Sequence, residues 1–288
     1  MGPWKYPVGV AYVMPNFEQG GTEKHVLELA AGLDRRKFAP IAVATSAGGS
    51  LEESFRTRGV PVHILPFPGI PLGPHPVRTA RSIRRAAGYF SAFSGILREG
   101  RVAIVHSYLP VSNILGTAAG WIGRVPVRIV SKRGLCRYKV GHPVQTVLED
   151  LANLLADAVL VNSSAVAEEV RRHERFLGGK IRRIYNGIGA TSASPEPIGR
   201  LFPELAGQDD GPVVVCVANL FPYKGHRDLV TAARIVADGL PGVRFLLVGR
   251  DAGEEEKVRA LIGSLGLDRH VFLTGPRTDV PRILSSVE

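Results

Sequence analysis

Two glycine-containing turns ahead of helical periods hold the residues best suited to chemistry. Gly20-Gly21-Thr22 follows a short apolar run and leads into a helix. Paired glycines let the backbone approach a ligand closely, and a helix N-terminus offers unpaired N–H groups to an anion. The same pair also suits a tight turn and nothing more. Asn219-Leu220-Phe221-Pro222-Tyr223-Lys224-Gly225 joins another apolar run to another helix. Lys beside Gly at a helix start suits phosphate, the ammonium acting as a point charge and the helix dipole adding to it. The plainer alternative is a solvated loop lysine. Further runs end in His106-Ser107-Tyr108, Ser131-Lys132-Arg133, Asn162-Ser163-Ser164 and Asn186-Gly187. Alone, His106 reads as a structural histidine and Ser163 or Ser164 as a helix N-cap. Together these clusters are expected to converge on one crevice. The spacing also excludes two nucleotide signatures. There is no Gly-x-Gly-x-x-Gly, and the second run ends in Thr45-Ser46 rather than a ribose-holding acid, which argues against a nicotinamide dehydrogenase. Nor is there a Walker Gly-x-x-x-x-Gly-Lys-Ser/Thr.

The elements that must position these residues follow from the periodicity. Apolar runs Val8–Met14, Pro40–Thr45, Val60–Leu65, Val102–His106, Val127–Val130, Ala158–Asn162 and Ile181–Tyr185 read as strands. Helical periods separate most of them. Thr22–Leu33 has Val26, Leu29, Ala30 and Leu33 on one face, and Ser50 with Glu53 reads as a capping box opening a helix that stops near Gly59. Nearly continuous apolar strands separated by helices predict a parallel sheet covered on both faces. Residues 190–211, rich in Gly, Ser, Ala and Pro, read as a linker between a domain at 1–189 and a second at 212–288. The second repeats the alternation: strand Val213–Ala218, helix His226–Asp238, strand Val243–Gly249, helix Glu254–Leu265, strand Val271–Leu273, and a further helix at Asp279–Val287. In such open sheets, ligands bind outside the carboxyl ends of the strands, where the polar clusters lie.

Composition narrows the partners. The 288 residues carry 36 Lys and Arg against 26 Asp and Glu, a net charge of +10 that favours anionic ligands or surfaces. With only two cysteines, Cys136 and Cys216, far apart in sequence, neither a disulfide framework nor a cysteine zinc site is expected. The basic residues are scattered without an aromatic stacking platform, so nucleic acid is not an expected partner. The N-terminus lacks a cleavage-site pattern, and no uncharged stretch nears the ~20 residues that span a bilayer. A cytoplasmic chain is expected, with any membrane contact peripheral.

Five motifs in order give the chain a family resemblance. Gly20-Gly21-Thr22-Glu23 resembles the Gly-Gly-x-Glu opening of the retaining GT-B glycosyltransferases of family 4, and Val161-Asn162-Ser163 resembles their Val-x-Asn-Ser strand end. Tyr185-Asn186-Gly187-Ile188 is similar to their Asn-Gly-Ile/Val-Asp turn, Asn219–Gly225 to their Lys-Gly segment, and Leu247-Val248-Gly249 to their Val-Gly strand end. The resemblance implies a GT-B-like α/β fold of two Rossmann-like, doubly wound parallel-sheet domains, the second incomplete. It implies transfer of a sugar from a nucleotide-diphosphate donor to a glycan or lipid-linked acceptor, with retention and with neither metal nor cofactor, in polysaccharide or glycolipid synthesis.

The resemblance also assigns residues. Gly20, Gly21, Asn186, Gly187, Asn219, Lys224, Gly225 and Gly249 would bind the donor, with Lys224 neutralising the leaving diphosphate. His106 and Arg133 would be the catalytic-site wall facing the donor sugar or acceptor. There are departures. Asn219 stands where many members have an arginine, Gly189 where they have aspartate, and Arg133 near where many carry histidine. The family's paired glutamates fall after position 288, so a C-terminally truncated chain is expected. The alternative is an inactive GT-B-like protein that binds a nucleotide or a partner. Between Val77 and Leu97, Arg78, Arg81 and Arg85 share one helical face, with Ile83, Ala87 and Phe90 roughly opposite. That stripe reads either as a solvated face or as an acceptor-side contact with anionic lipid on the inner face of the membrane. The preceding loop, Pro66–Pro76, would form part of the acceptor rim.

Overall fold

The computed structural model describes residues 7–69, 76–139, 141–187, 194–205 and 211–287. The chain divides into two compact units, Met1–Ile188 and Gly189–Glu288.

In the first unit the elements alternate: β1 (Val8–Met14), α1 (Gly21–Ala31), β2 (Phe38–Ala44), α2 (Glu52–Thr57), β3 (Val62–Ile64), α3 (Pro76–Glu99) and β4 (Val102–Tyr108). They continue with α4 (Pro110–Ile122), β5 (Val127–Lys132), α5 (Pro143–Leu155), β6 (Ala158–Val161), α6 (Ser164–His173) and β7 (Ile181–Arg183). The seven strands form one parallel sheet in the order β3-β2-β1-β4-β5-β6-β7. The order reverses between β1 and β4, so the loops after these two central strands open side by side, which is where open α/β sheets bind ligands. β1 is buried along its whole length, as a strand covered on both faces must be. Val10, Tyr12 and Met14 pack with α1 and α2, while Ala11 and Val13 pack with α3 and α4.

The second unit holds α7 (Ile198–Leu201), β8 (Val213–Val217), α8 (His226–Gly239), β9 (Arg244–Val248), α9 (Glu255–Ser264), β10 (Val271–Gly275) and α10 (Val280–Ser285). Its parallel sheet runs β10-β9-β8, with a core of its own around Phe245, Leu247, Val230 and Val258.

Three expectations change. The Ser50–Glu53 capping box does not form: α2 starts after Leu51, with no side-chain cap. Its entry is set by packing instead, since Leu51 is buried and donates its N–H to the Phe17 carbonyl at 2.8 Å. On α3 the apolar side chains Ile83 and Ala87 face solvent, Ile83 being 60% exposed, while Ser82, Ala86, Tyr89, Phe93 and Leu97 turn inward. The inward side is chosen by the aromatic contacts Tyr89–Phe93 and Tyr89–Phe67. Within the 190–211 segment, residues 194–205 are not a free linker, because Leu201, Phe202 and Leu205 insert beside Leu246, Val248 and Ile283. Gly, Ser and Pro concealed these few apolar anchors. Residues 188–193, with Gly189, lie outside the described residues, as do residues 70–75 of the proline-rich loop and the side chains of Arg78 and Arg81.

Candidate functional site

In the first unit, strands β1, β4 and β5 bring a polar cluster together at their carboxyl ends. His106 on β4 is buried, with Nε2 2.8 Å from Ser131 Oγ and Nδ1 3.2 Å from the Tyr108 hydroxyl. Burial, with the nearby charges of His25 and Arg133, presses its pKa down to about 3, so the ring is neutral. A neutral imidazole donates at one nitrogen and accepts at the other, which both neighbours can match. His106 is thus buried with both ring nitrogens taken up by its neighbours. The Tyr12 and Tyr108 rings lie 5.7 and 4.4 Å from it. Burial pushes the Tyr12 hydroxyl up to about 12, and the Tyr108 hydroxyl is raised for the same reason.

Arg133 follows β5 and reaches outward. It donates from Nη2 to Asn186 Oδ1 at 2.8 Å, and its guanidinium lies 5.7 Å from the Tyr108 ring centroid. Burial lowers its pKa, while Tyr108 and Glu23 act to raise it. Arg133 and Asn186, predicted separately, are therefore one contact. Ser163 caps α6 by accepting from Val166 N–H at 3.1 Å, the structural role expected of it. Gly187 closes the described part of its turn as an exposed residue.

The Gly20-Gly21 turn carries a group that residue spacing did not single out. The Glu23 carboxylate folds back onto the start of α1, and a Cβ at Gly20 would lie 2.1 Å from its Oε2. A side chain at Gly20 would have to displace that carboxylate, whereas a Cβ at Gly21 would meet nothing within 4 Å. Glu23 is buried, and its negative charge is felt by Arg133. Glu23, His25 and Tyr12 are thus additions to the sequence-derived set, and Tyr108 was named there only as the end of the His106-Ser107-Tyr108 cluster. Glu23 was visible only as the last residue of a motif.

In the second unit the loop after β8 is held in place by its neighbours. Asn219 Oδ1 accepts the Arg250 N–H at 3.2 Å, Leu220 N–H donates to the Arg250 carbonyl at 3.0 Å, and Leu220 bridges Asp251. Asn219 therefore spends its carbonyl oxygen on bracing the two strand ends. A Cβ at Gly249 would fall 2.1 Å from the Ala218 carbonyl oxygen, so only glycine lets these chain ends approach. Gly225, at φ +73°, turns the chain from a short 3-10 segment (Pro222–Lys224) into α8. Lys224 is exposed, its Nζ 5.5 Å from the Tyr223 ring centroid, and it makes no ion pair among the described residues. The Phe221 and Tyr223 rings stack at 5.3 Å, which stiffens the turn. Beneath it, His226 is buried, and neither ring nitrogen has a hydrogen-bond partner among the described residues. The arrangement presents one free ammonium beside the N-terminus of a 14-residue helix. Its chemistry is that of an anion site, although Asp228 in the first turn already occupies part of the positive end.

No group of three or more His, Cys, Asp or Glu side chains is placed to hold a metal ion among the described residues. No helix among them is long and apolar enough to cross a membrane.

Comparison with known proteins adds the following. Residues 19–191 match the model for Glycosyltransferase Family 4, and residues 198–287 match that for Glycosyl transferases group 1. A search of curated proteins finds no match. Among solved structures, HepE of Anabaena in complex with UDP and glucose superimposes with a TM-score of 0.78 at 20% identity, over 97% of this chain and 72% of that one. A glycosyltransferase from Rickettsia africae gives 0.68 at 17%, over 99% and 72%. WaaG, a glycosyltransferase involved in lipopolysaccharide biosynthesis, gives 0.65 at 13%, over 97% and 73%. At these identities the superpositions speak for the GT-B fold.

Proposed function

The chain belongs to Glycosyltransferase Family 4, and from that premise we propose that it moves a sugar from a nucleotide-diphosphate donor to a glycan or lipid-linked acceptor with retention of configuration. Lys224 carries this reading. It is an exposed, unpaired ammonium fixed by the Gly225 turn at the start of α8, and a leaving diphosphate is the group such a site suits. Lys224, rather than a metal ion or cofactor, would neutralise the charge that develops on the leaving group. Gly225, Gly249 and Asn219 would shape the loop around it, Asn219 holding the Arg250 backbone where the family often has an arginine at 219.

In the first unit, Gly20, Gly21, Asn186 and Gly187 would contact donor phosphates or sugar, and Arg133 would face the reacting sugar. His106 would act through Tyr108 and Ser131, holding the wall in place. The acceptor side is assigned to the α3 face bearing Arg78, Arg81 and Arg85, of which Arg85 is exposed. A place on the inner face of the membrane, in polysaccharide or glycolipid synthesis, fits that assignment.

UDP is the first ligand to test, because the Anabaena protein was solved with UDP and with UDP plus glucose. Calorimetric titration of the chain with UDP is expected to show binding that Lys224→Ala weakens by about tenfold or more, the worth of a charge-assisted hydrogen bond. Unchanged affinity removes Lys224 from the site.

A further inference from the structure

Helix α5 is built inside out. Its exposed residues are Pro143, Val144, Val147, Leu148, Leu151 and Leu154, all apolar. Its polar residues Gln145, Thr146, Glu149, Asp150 and Asn153 are all buried or half-buried. The spacing 144, 147, 148, 151, 154 is one helical face, and each of those five side chains is between 41% and 62% exposed. An amphipathic helix of a soluble domain turns this stripe toward the core. Here the inward face is claimed by ion pairs. Glu149 Oε2 lies 2.9 Å from Lys132 Nζ, and Asn153 donates to Glu174 Oε2 at 2.7 Å. Asp150 Oδ1 accepts the Arg175 N–H at 2.8 Å. These bonds fix the rotation of the helix, so the apolar stripe cannot turn inward.

We propose that the outward face of α5 docks on an anionic lipid bilayer. The stripe bears no exposed charge of its own; past its C-terminal end stand the exposed Arg175 and the half-buried Lys180, while the one carboxylate there, Asp157, is paired with Arg128. Lys180 Nζ donates to the Asn153 and Leu154 carbonyls at 2.9 and 3.0 Å, and Arg175 stands exposed beside it. Phe176, at φ +58° and 50% exposed, extends the apolar surface from the same loop. Apolar side chains in the plane of the interface with cations at headgroup level are what an interfacial helix presents. The net charge of +10 acts in the same direction. A second copy fits less well. The stripe measures roughly 20 Å by 10 Å, far less than the ~800 Å² each partner buries in a stable interface, and a two-fold pairing would bring the same uncharged surface, with Arg175 and Lys180 past its end, to itself. This docking face lies on α5, in addition to the α3 arginines assigned to the acceptor side, and does not depend on which sugar is transferred.

The test is flotation of the whole chain with vesicles of equal parts phosphatidylglycerol and phosphatidylcholine. The chain is expected to float with them, and to partition less onto phosphatidylcholine alone. Leu148→Gln with Leu151→Gln should lower the partition coefficient about tenfold or more, while Arg84→Gln with Arg85→Gln on α3 lowers it less. Val144→Gln with Val147→Gln probes the other end of the stripe should the first pair disturb folding, which circular dichroism reports. The proposal fails if the chain stays in solution, if both vesicle types bind it equally, or if neither α5 pair changes the partition. It also fails if sedimentation shows a dimer that the α5 substitutions dissolve.

Discussion

His106 has both ring nitrogens engaged, and burial holds its pKa near 3 against an ordinary value of 6.5. The unfolded chain therefore binds a proton at this residue below about pH 6.5 that the folded chain refuses, and stability is lost as pH falls from 6.5 toward 3. The slope from this one group is about 1.4 kcal/mol per pH unit. His106→Gln should show a shallower loss of unfolding free energy than the parent chain over that window, and parallel curves would contradict the neutral, buried state. His106 stood out in the sequence as a polar residue ending an apolar run. Nothing in the sequence said that Ser131 and Tyr108 would satisfy it, because the contact with Ser131 spans 25 positions. Glu23 was legible only through the Gly-Gly-x-Glu motif; that its carboxylate covers Gly20 is a matter of how α1 leaves its turn.

At the scale of elements, the strand-to-helix turns were legible because glycine and a following helical period carry a local signal. The structure separates glycines that the fold needs from those it leaves open. Gly249→Ala should destabilise the second unit by about 2–3 kcal/mol, since the new methyl would sit 2.1 Å from the backbone oxygen of Ala218. Gly21→Ala should leave stability within about 0.5 kcal/mol, since nothing lies within 4 Å. Chemical denaturation checks both. Weaker UDP binding by Gly21→Ala at unchanged stability would mark that turn as a ligand contact. Helices α3 and α5 were less legible. A helical period locates an apolar face but not the direction it turns, and on both helices tertiary partners decided that direction.

Across the whole molecule, two cores and a buried charge cluster set the behaviour. Lys132, Lys139, Glu149 and Glu174 come together from β5, the following 3-10 turn, α5 and the residue after α6. Burial alone would raise the Glu174 carboxyl, but Lys132, Lys139 and Asn153 hold it below the usual carboxylate range. Glu174→Gln leaves two buried ammonium groups facing one carboxylate, and should cost about 3 kcal/mol or more. Because each unit has its own core, that loss should appear in hydrogen exchange of residues 7–187, and the loss from Gly249→Ala in residues 194–287. Changes that spread through both units in either variant would contradict independent cores.

By itself the sequence determined the α/β class, the strand ends that carry polar groups, the basic surplus and the family motifs, since all of these are written in local periodicity, composition and short spacings. Tertiary structure alone decided that His106 meets Ser131, that Arg133 meets Asn186, that Asn219 braces a neighbouring strand, and that α5 shows its leucines to solvent. Each of these depends on pairs far apart along the chain, which no local period records. The buried charges that Glu149 and Asp150 contribute to the first unit's interior leave α5 only one way to face.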